Sequence, residues 1–291
     1  MMKKIIVYVC ACLLLVSCGN FTSENTRSRQ LLDSGWKFYR GEANAEQPGF
    51  DDSSWRTVDL PHDFSIEDIP GTGSPFSPDA VSGINGGFTE GGIGWYRKNI
   101  FVPSSQKDKN FELYFEGAYM NTDVWVNGRH LGNHPYGYTP FVYDITDYLA
   151  YDQDNVIAVQ VKNEGNNSRW YAGSGLYRHV WLTVTNPLHI ITHGTYITTP
   201  TVTREMAEVV VETSIVNNYP SGNDVVIETV ITDDAGSRVA SIKADKKINA
   251  GNTDVFTQKT EIESPQLWSP DTPYLYNVTT RIYANNHLED E

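Results

Sequence analysis

The chain has 291 residues, of which 40% are hydrophobic and 20% are charged, so it is long enough for about two globular domains with buried cores. Its 36 acidic and 22 basic residues give a formal net charge of −14, which excludes the basic surface that nucleic-acid binding requires. All three cysteines lie within the first 18 residues, so the rest of the chain has no disulfide, thiolate nucleophile or thiolate metal site.

Residues 1–18 have the pattern of a lipoprotein signal peptide. Two lysines precede the apolar run 5–16, which is shorter than the roughly 20 residues of a transmembrane helix. Residues 15–18 match the site where such a leader is cleaved and Cys18 is acylated; an ordinary signal peptide with a chance cysteine is the alternative. Gly19 after the cysteine favours the outer membrane, so we expect an exported protein, anchored by lipid on the periplasmic or surface face.

A tether and then a β-rich domain follow the leader. Residues 19–30 are polar, which indicates a linker between lipid and fold. Beyond them hydrophobic residues alternate with a period of two and rarely with a period of 3.6. Such alternating segments lie at 111–115, 122–126, 156–161 and 179–184. Many short strands with few helices predict that residues 31–187 form a jelly-roll sandwich.

Two local signals refine this first unit. Asn127-Gly128 follows the segment 122–126 and predicts a tight hairpin, because both turn residues adopt positive φ angles easily. Residues 144–149 predict one short helical turn capped by Asp144.

A second all-β unit begins near Pro187, where the density of tryptophan falls sharply. About seven predicted strands, including 208–216, 224–232 and 274–283, favour an immunoglobulin-like β-sandwich over residues 188–291. Asn285-Asn286 signals a turn, after which one more strand would be needed. We expect that strand to be missing and an edge to be unpaired, so that the sandwich is incomplete and the sequence is truncated or is part of a longer protein.

Motifs for several catalytic classes are absent from the sequence. It contains no His-Glu-x-x-His, no Gly-x-Ser-x-Gly and no phosphate-binding loop, and no cofactor or metal is expected. The glycine-rich stretch 83–94 is not followed by a helical pattern, which excludes a dinucleotide site. It is typical of a long surface loop, either a binding loop or a plain connector.

An ordered set of short aromatic and glycine-rich motifs carries a family resemblance. The most informative members of the set are Pro61-His62-Asp63-Phe64, Gly94-Trp95-Tyr96-Arg97-Lys98, Ser168-Arg169-Trp170-Tyr171-Ala172-Gly173-Ser174-Gly175-Leu176-Tyr177-Arg178 and Leu267-Trp268-Ser269-Pro270-Asp271-Thr272-Pro273-Tyr274-Leu275-Tyr276. In this order they resemble glycoside hydrolase family two, the group of β-galactosidases, β-glucuronidases and β-mannosidases, over residues 31–283. The galactosidase-like members are the most similar.

The resemblance implies a jelly-roll sugar-binding domain, an immunoglobulin-like domain and then a catalytic TIM barrel. It also implies a retaining mechanism, in which two carboxyl groups lie about 5 to 5.5 Å apart. In the family both belong to glutamates of the barrel, and no residue of this sequence matches them. We therefore assign no catalytic residue, regard the barrel as absent from this sequence, and expect the chain alone to be inactive.

The resemblance further implies that loops of the jelly roll help to bind the terminal sugar. Arg169 is the best candidate, because its planar guanidinium presents several donors to adjacent sugar hydroxyls; a structural ion pair is the alternative. Trp170 and Tyr171 are candidates to stack on a sugar ring or to wall the pocket, and Asn85 in the glycine-rich loop is a weaker candidate.

Other motif residues are assigned structural roles. His62 and Asp63 are expected to anchor a loop. Trp95, Trp125 and Arg178 lie in strand-like contexts and are expected in the core or in buried pairs.

The sequence thus predicts the N-terminal part of an exported, retaining exo-β-glycosidase, most similar to a β-galactosidase. Its partners would be a carbohydrate substrate and, through the lipid anchor only, a membrane. The alternative is a lipid-anchored, non-catalytic carbohydrate-binding module. A third possibility, a structural adaptor protein, is supported only by the predicted fold.

Overall fold

The computed structural model describes residues 26–166 and 169–291, and these residues form seventeen β-strands, four short 3-10 turns and no α-helix. The predicted all-β class is therefore confirmed. The predicted leader, most of the tether and Cys18 lie outside the described residues. No helical segment of the described chain has the length and apolarity needed to cross a membrane.

Two sheets face each other in the first unit. Its strands are β1 Arg27–Leu31, β2 Trp36–Arg40, β3 Arg56–Val58, β4 Gly92–Val102, β5 Asn110–Phe115, β6 Thr122–Val126, β7 Arg129–His134, β8 Phe141–Asp144, β9 Gln153–Asn163 and β10 Val180–Thr185. One sheet has the order β1-β10-β5-β8 and the other β3-β2-β4-β9-β6-β7, and all neighbouring strands are antiparallel.

Period-two alternation builds the core between these sheets. Phe111, Leu113 and Phe115 on β5 are fully buried, and Val124 and Val126 on β6 pack in the same cluster. Side chains that alternate with them point away from this core, as the pleat of a strand requires. The first sandwich therefore buries the hydrophobic residues that its sequence pattern indicates.

Both predicted local turns are present. Asn127 and Gly128 have φ angles of 50° and 79° and join β6 to β7 in a hairpin. The short turn is present as the 3-10 turn Thr146–Tyr148, but its N-cap is Ile145 and not Asp144. Asp144 lies one residue earlier, and its carboxylate accepts a hydrogen bond from the Thr146 backbone amide at 2.9 Å.

The second unit is a seven-stranded antiparallel sandwich over its described residues. Its strands are β11 Leu188–Thr198, β12 Met206–Asn217, β13 Asn223–Thr232, β14 Arg238–Ile248, β15 Thr253–Glu263, β16 Asn277–Ala284 and β17 His287–Asp290. They form the sheets β11-β12-β15 and β14-β13-β16-β17.

Two expectations about this unit are wrong. The strand expected to be missing after the Asn285-Asn286 turn is present as β17, which pairs with β16 and so covers its edge. The strand expected over 274–283 begins only at Asn277, because the segment before it contains proline and forms hydrogen-bonded turns around Thr272.

Hydrogen bonds join the two units. The Thr192 hydroxyl on β11 donates to the Glu112 carboxylate on β5 at 2.6 Å. The side-chain amide of Asn186 donates to the Glu289 backbone carbonyl on β17 at 2.9 Å. The linker between β10 and β11 is short, so the second unit starts directly beside the first.

Candidate functional site

Four loops meet at one end of the jelly roll. Strand register places residue 115 of β5 opposite residue 141 of β8 and residue 180 of β10, so loops 116–121, 135–140 and 164–179 leave the sheet on the same side. In the other sheet Gly92 of β4 pairs with Asn163 of β9, which brings the glycine-rich loop to this end as well. Loops from a rigid sandwich commonly carry binding residues.

A cleft of about 500 Å³ opens among three of these loops and is named here the aromatic cleft. Its lining is Tyr119, Met120, Tyr136, Gly137, Tyr138, Arg169 and Trp170. The structure thus brings together two of the three predicted substrate-binding residues, Arg169 and Trp170. Both are exposed, and 58% of Trp170 is open to solvent.

Edge-to-face ring contacts organise this cleft. The ring of Tyr138 lies 5.2 Å from that of Tyr119 and 5.6 Å from that of Tyr136, between ring centroids. The Trp170 indole N–H donates to the Tyr138 hydroxyl at 3.0 Å, and the Tyr177 hydroxyl donates to the Gly137 carbonyl at 2.7 Å. Gly137 is needed here, because a Cβ atom at this position would overlap the Tyr119 ring.

A second cleft, of about 410 Å³, is also lined by Tyr119 and is named the polar cleft. It is lined by the glycine-rich loop, by residues 163–166 and by Ala172, and it contains the carboxylates Asp79, Glu90 and Glu164. Tyr119 lines both clefts, so the two form adjoining parts of one surface.

Asp63 and His62 hold the loop that carries Arg169 and Trp170. The Asp63 carboxylate accepts hydrogen bonds from the Ser65 amide at 2.9 Å, the Ser174 amide at 2.7 Å and the Tyr171 hydroxyl. Burial and this bond to Asp63 raise the pKa of Tyr171, which keeps its phenol protonated as the donor.

His62 forms the second anchor, because its backbone amide donates to the Leu176 carbonyl of this loop at 2.8 Å. It contacts the Tyr96 hydroxyl through Nδ1 at 2.7 Å and the Glu67 carboxylate through Nε2 at 2.9 Å. Burial lowers the pKa of His62, so the neutral ring is favoured. Gly175 has a φ of 127°, and a Cβ atom there would lie 2.7 Å from the His62 carbonyl oxygen, so glycine is required where the loop passes this anchor.

The remaining sequence-based candidates are placed as follows. Asn85 is exposed in the 3-10 turn Gly83–Gly86 and lines neither cleft. Trp95 is 2% exposed and stacks on Trp125, with ring centroids 5.4 Å apart, as expected for core residues. The expectation for Arg178 is wrong: it is exposed, and its guanidinium lies 5.5 Å from the ring of Tyr177. Residue 178 lies in a bend before β10 and not in the strand itself, so its side chain is not drawn into the core.

Sequence reasoning missed the tyrosines that build the aromatic cleft. Tyr136 and Tyr138 flank Gly137, and this Tyr-Gly-Tyr spacing could have signalled an exposed aromatic loop. Tyr119 carried no comparable signal, because only the fold places it between the clefts. Among the described residues no cluster of three or more His, Cys, Asp or Glu side chains is arranged to hold a metal ion.

Comparisons with known proteins agree with this architecture. Residues 30–187 match the sugar binding domain of glycosyl hydrolases family 2, and residues 189–291 match a further family 2 model. A β-galactosidase of Bacteroides ovatus is 42% identical over 95% of this chain and 32% of its own length. A putative β-glucuronidase of Formosa agariphila is 34% identical over 97% of this chain and 26% of its own length.

Solved structures have the same fold. A glycosyl hydrolase family 2 member from Bacteroides cellulosilyticus superposes with a TM-score of 0.87 at 47% identity, covering 90% of this chain and 34% of that one. A Bacteroides uniformis β-glucuronidase superposes with a TM-score of 0.81 at 29% identity, over 91% of this chain and 31% of its own. The chain spans about a third or less of these relatives, and it belongs to glycosyl hydrolase family 2.

Proposed function

We propose that this chain forms the sugar-binding and immunoglobulin-like domains of a retaining exo-β-glycosidase that acts on β-galactosides. The aromatic cleft is the observation that carries the proposal. It places a guanidinium, an indole and three phenols around one space at the loop end of the jelly roll. Aromatic faces with a few polar groups are a common design of small-molecule sites.

Arg169 is the donor that would orient the sugar. No ion pair joins it to another described residue, so its donor fork is not used by a carboxylate of the described chain. This favours a binding role over the structural ion pair that was the alternative. Trp170 lies beside it with its indole N–H held by Tyr138, which fixes the ring as a wall for a sugar.

The galactoside preference is supported by two observations. The β-galactosidase of Bacteroides ovatus has a higher identity to this chain, 42%, than the putative β-glucuronidase of Formosa agariphila, 34%. The polar cleft beside Tyr119 is lined by three carboxylates and by no lysine or arginine among the described residues. Glu90 is paired with the Arg40 guanidinium at 3.8 Å, and the lining keeps an excess of carboxylates. This excess repels the carboxylate of a glucuronide, and the carboxylates accept hydrogen bonds from neutral sugar hydroxyls.

The proposal includes export and anchoring by a lipid on Cys18, in the outer membrane. It is supported by the apolar run before residues 15–18 and by the polar residues after them. Metabolic labelling with a radioactive fatty acid tests it: the wild-type chain should be labelled and Cys18→Ala should not. Equal labelling of both would contradict it.

Binding by the 291-residue chain tests the sugar site. Methyl β-galactoside should shift the Trp170 indole N–H resonance in a saturable way. Arg169→Ala should weaken this binding at least about tenfold, because the sugar loses a hydrogen bond to a charged donor. Arg178→Ala is the matched control, because it removes a neighbouring exposed arginine that lines neither cleft. Equal binding by the wild type and Arg169→Ala would refute the role of Arg169. Stronger binding of methyl β-glucuronide than of methyl β-galactoside would refute the proposed preference for galactosides.

A further inference from the structure

A groove of about 770 Å³ lies where the two units meet and is named here the junction groove. Its floor is the outer face of sheet β1-β10-β5-β8, and its walls are residues 190–195 and Ile197 of β11 and residues 278–280 of β16. It shares no lining residue with the aromatic or the polar cleft.

Arg29 is the main donor at the floor. Its guanidinium carbon lies 4.1 Å from the ring centroid of Trp181 and 5.4 Å from that of Tyr114. A guanidinium that stacks through its face keeps its N–H edges available. None of the ion pairs among the described residues includes Arg29, and the residue is exposed. The stacking thus holds the guanidinium N–H donors of Arg29 in a fixed position at the groove.

Glu116 provides a fixed acceptor near the same rings. The Trp181 indole N–H donates to Glu116 Oε1 at 2.8 Å, so the tryptophan that supports Arg29 also orients this carboxylate. One carboxylate oxygen is used in this bond, and the lone pairs of the other are available to a ligand. Glu116 lines the groove together with Arg29 and Tyr114.

A bulge in β11 brings a histidine to the groove. Pairing with β12 shifts between Ile190 and Thr195, and His193 within this segment has a φ of 60°. Its ring meets the Tyr114 ring edge to face, with centroids 5.5 Å apart. Bulges commonly re-aim one side chain, and a residue with positive φ persists only where its surroundings hold it.

We propose that the junction groove binds a hexose unit of a glycan chain through its hydroxyl groups. Arg29 donates to the sugar, Glu116 accepts from it, and His193 borders it from the second unit. A sugar hydroxyl both donates and accepts, so a fixed donor beside a fixed acceptor suits a pair of neighbouring hydroxyls. Glu116 supplies one negative charge to the lining against the positive charge of Arg29, while Arg27 and Glu291 are paired with Asp290 and Arg281. The lining thus has no excess positive charge, which favours a neutral ligand over an anion.

Site-resolved NMR of the 291-residue chain with β-1,4-galactotetraose as the probe tests the proposal. The Trp181 indole N–H reports on the junction groove, and the Trp170 indole N–H reports on the aromatic cleft. We expect a saturable shift of the Trp181 signal in the wild type. The affinity derived from this shift should fall at least about tenfold in Arg29→Ala. Arg29→Lys keeps the charge without the planar fork and should also weaken binding. Arg238→Ala, at an exposed position of β14, is the matched control and should bind as the wild type does.

The outcomes separate this site from the proposed function. A Trp181 response that survives in Arg169→Ala supports the junction groove, whatever Trp170 does. A saturated Trp170 signal with an unchanged Trp181 signal would overturn it, as would equal affinities of wild type, Arg29→Ala and Arg29→Lys at Trp181. A wild-type melting temperature for Arg29→Lys shows that its loss of binding is not a loss of fold.

Discussion

Arg27 and Asp290 form a bidentate ion pair across the domain junction, although they are 263 positions apart in the sequence. Arg27 Nε lies 2.8 Å from Asp290 Oδ1, and a second guanidinium nitrogen lies 2.6 Å from Oδ2. The same guanidinium donates to the Ile190 carbonyl at 2.6 Å, and the Ile190 amide donates to Asp290 at 2.8 Å. Asp290 is fully buried, so β1, β11 and β17 are joined through one carboxylate.

Asp290→Ala should destabilise the chain by about 3 kcal/mol, because it leaves a partly buried arginine without its partner. The midpoint of urea unfolding measures this change. Asp254→Ala removes a carboxylate from an exposed pair with Lys246 and should leave the midpoint nearly unchanged. A midpoint for Asp290→Ala equal to that of Asp254→Ala would contradict the role of the buried pair.

Asp63→Ala should release the loop that carries Arg169 and Trp170, because two amides and the Tyr171 hydroxyl lose their common acceptor. Hydrogen bonds to a charged acceptor contribute about 1.5 to 3 kcal/mol each. We expect faster amide hydrogen exchange at residues 171–175 together with weaker binding of methyl β-galactoside. Asp79→Ala is the control, since Asp79 lines the polar cleft without holding this loop; similar exchange in both variants would count against the anchor.

Gly137→Ala should displace the Tyr119 ring and so change both clefts at once. Overpacking of this kind costs about 1 to 3 kcal/mol, and sugar binding should weaken with it. Gly49→Ala is the matched control, because a Cβ atom at Gly49 meets nothing within 4 Å. Sugar affinity and the midpoint of urea unfolding measure the two effects, and wild-type values of both for Gly137→Ala would show that the cleft accommodates a larger residue.

Stability should fall in mild acid. Burial lowers the pKa of His62 and of His189 from the ordinary value of 6.5. The unfolded chain therefore binds protons at a higher pH than the folded chain does, and acid favours unfolding. We expect the contribution of these residues to be complete above about pH 7.5 and to be lost as the pH falls through their folded pKa values. As the pH falls, the midpoint of urea unfolding should decline less steeply in the double variant His62→Gln, His189→Gln than in the wild type. The same decline in both proteins would refute the role given to these two histidines.

The 291-residue chain alone should not hydrolyse a β-galactoside. It spans 32% of the length of the Bacteroides ovatus β-galactosidase, and a retaining mechanism requires two carboxyl groups about 5 to 5.5 Å apart on a rigid scaffold. Release of nitrophenol from nitrophenyl β-galactoside by the purified chain measures this directly. Turnover that is abolished by Glu164→Gln or Glu90→Gln would contradict the prediction and place a catalytic carboxylate in the polar cleft.

Period-two alternation made the β class and both sandwiches predictable. Phe111, Leu113 and Phe115 are all buried where that pattern places them, and the Asn127-Gly128 turn has the expected backbone. The last strand was not expected, because His287–Asp290 is short and largely polar. Its place in the sheet comes from pairing with β16 and from the buried contact of Asp290 with Arg27, and neither is a local property.

The candidate site was predictable only in part for the same reason. Arg169 and Trp170 lie in one conspicuous motif, and the fold brings both to the aromatic cleft. Asn85 was chosen because its loop is rich in glycine, but this residue is exposed and lines neither cleft. Tyr119 adjoins both clefts through the meeting of separate loops, and no short sequence pattern encodes such a meeting.

The antiparallel pairing of β1 with β10 also has a directional consequence. Arg27 lies opposite Thr185, whereas Leu31 lies opposite Trp181, nearer the loop of Arg169. β10 has six residues and is roughly 20 Å long, so Arg27 lies about that far from the loop end of this sheet. Arg27 and Arg169 therefore lie at opposite ends of the first sandwich.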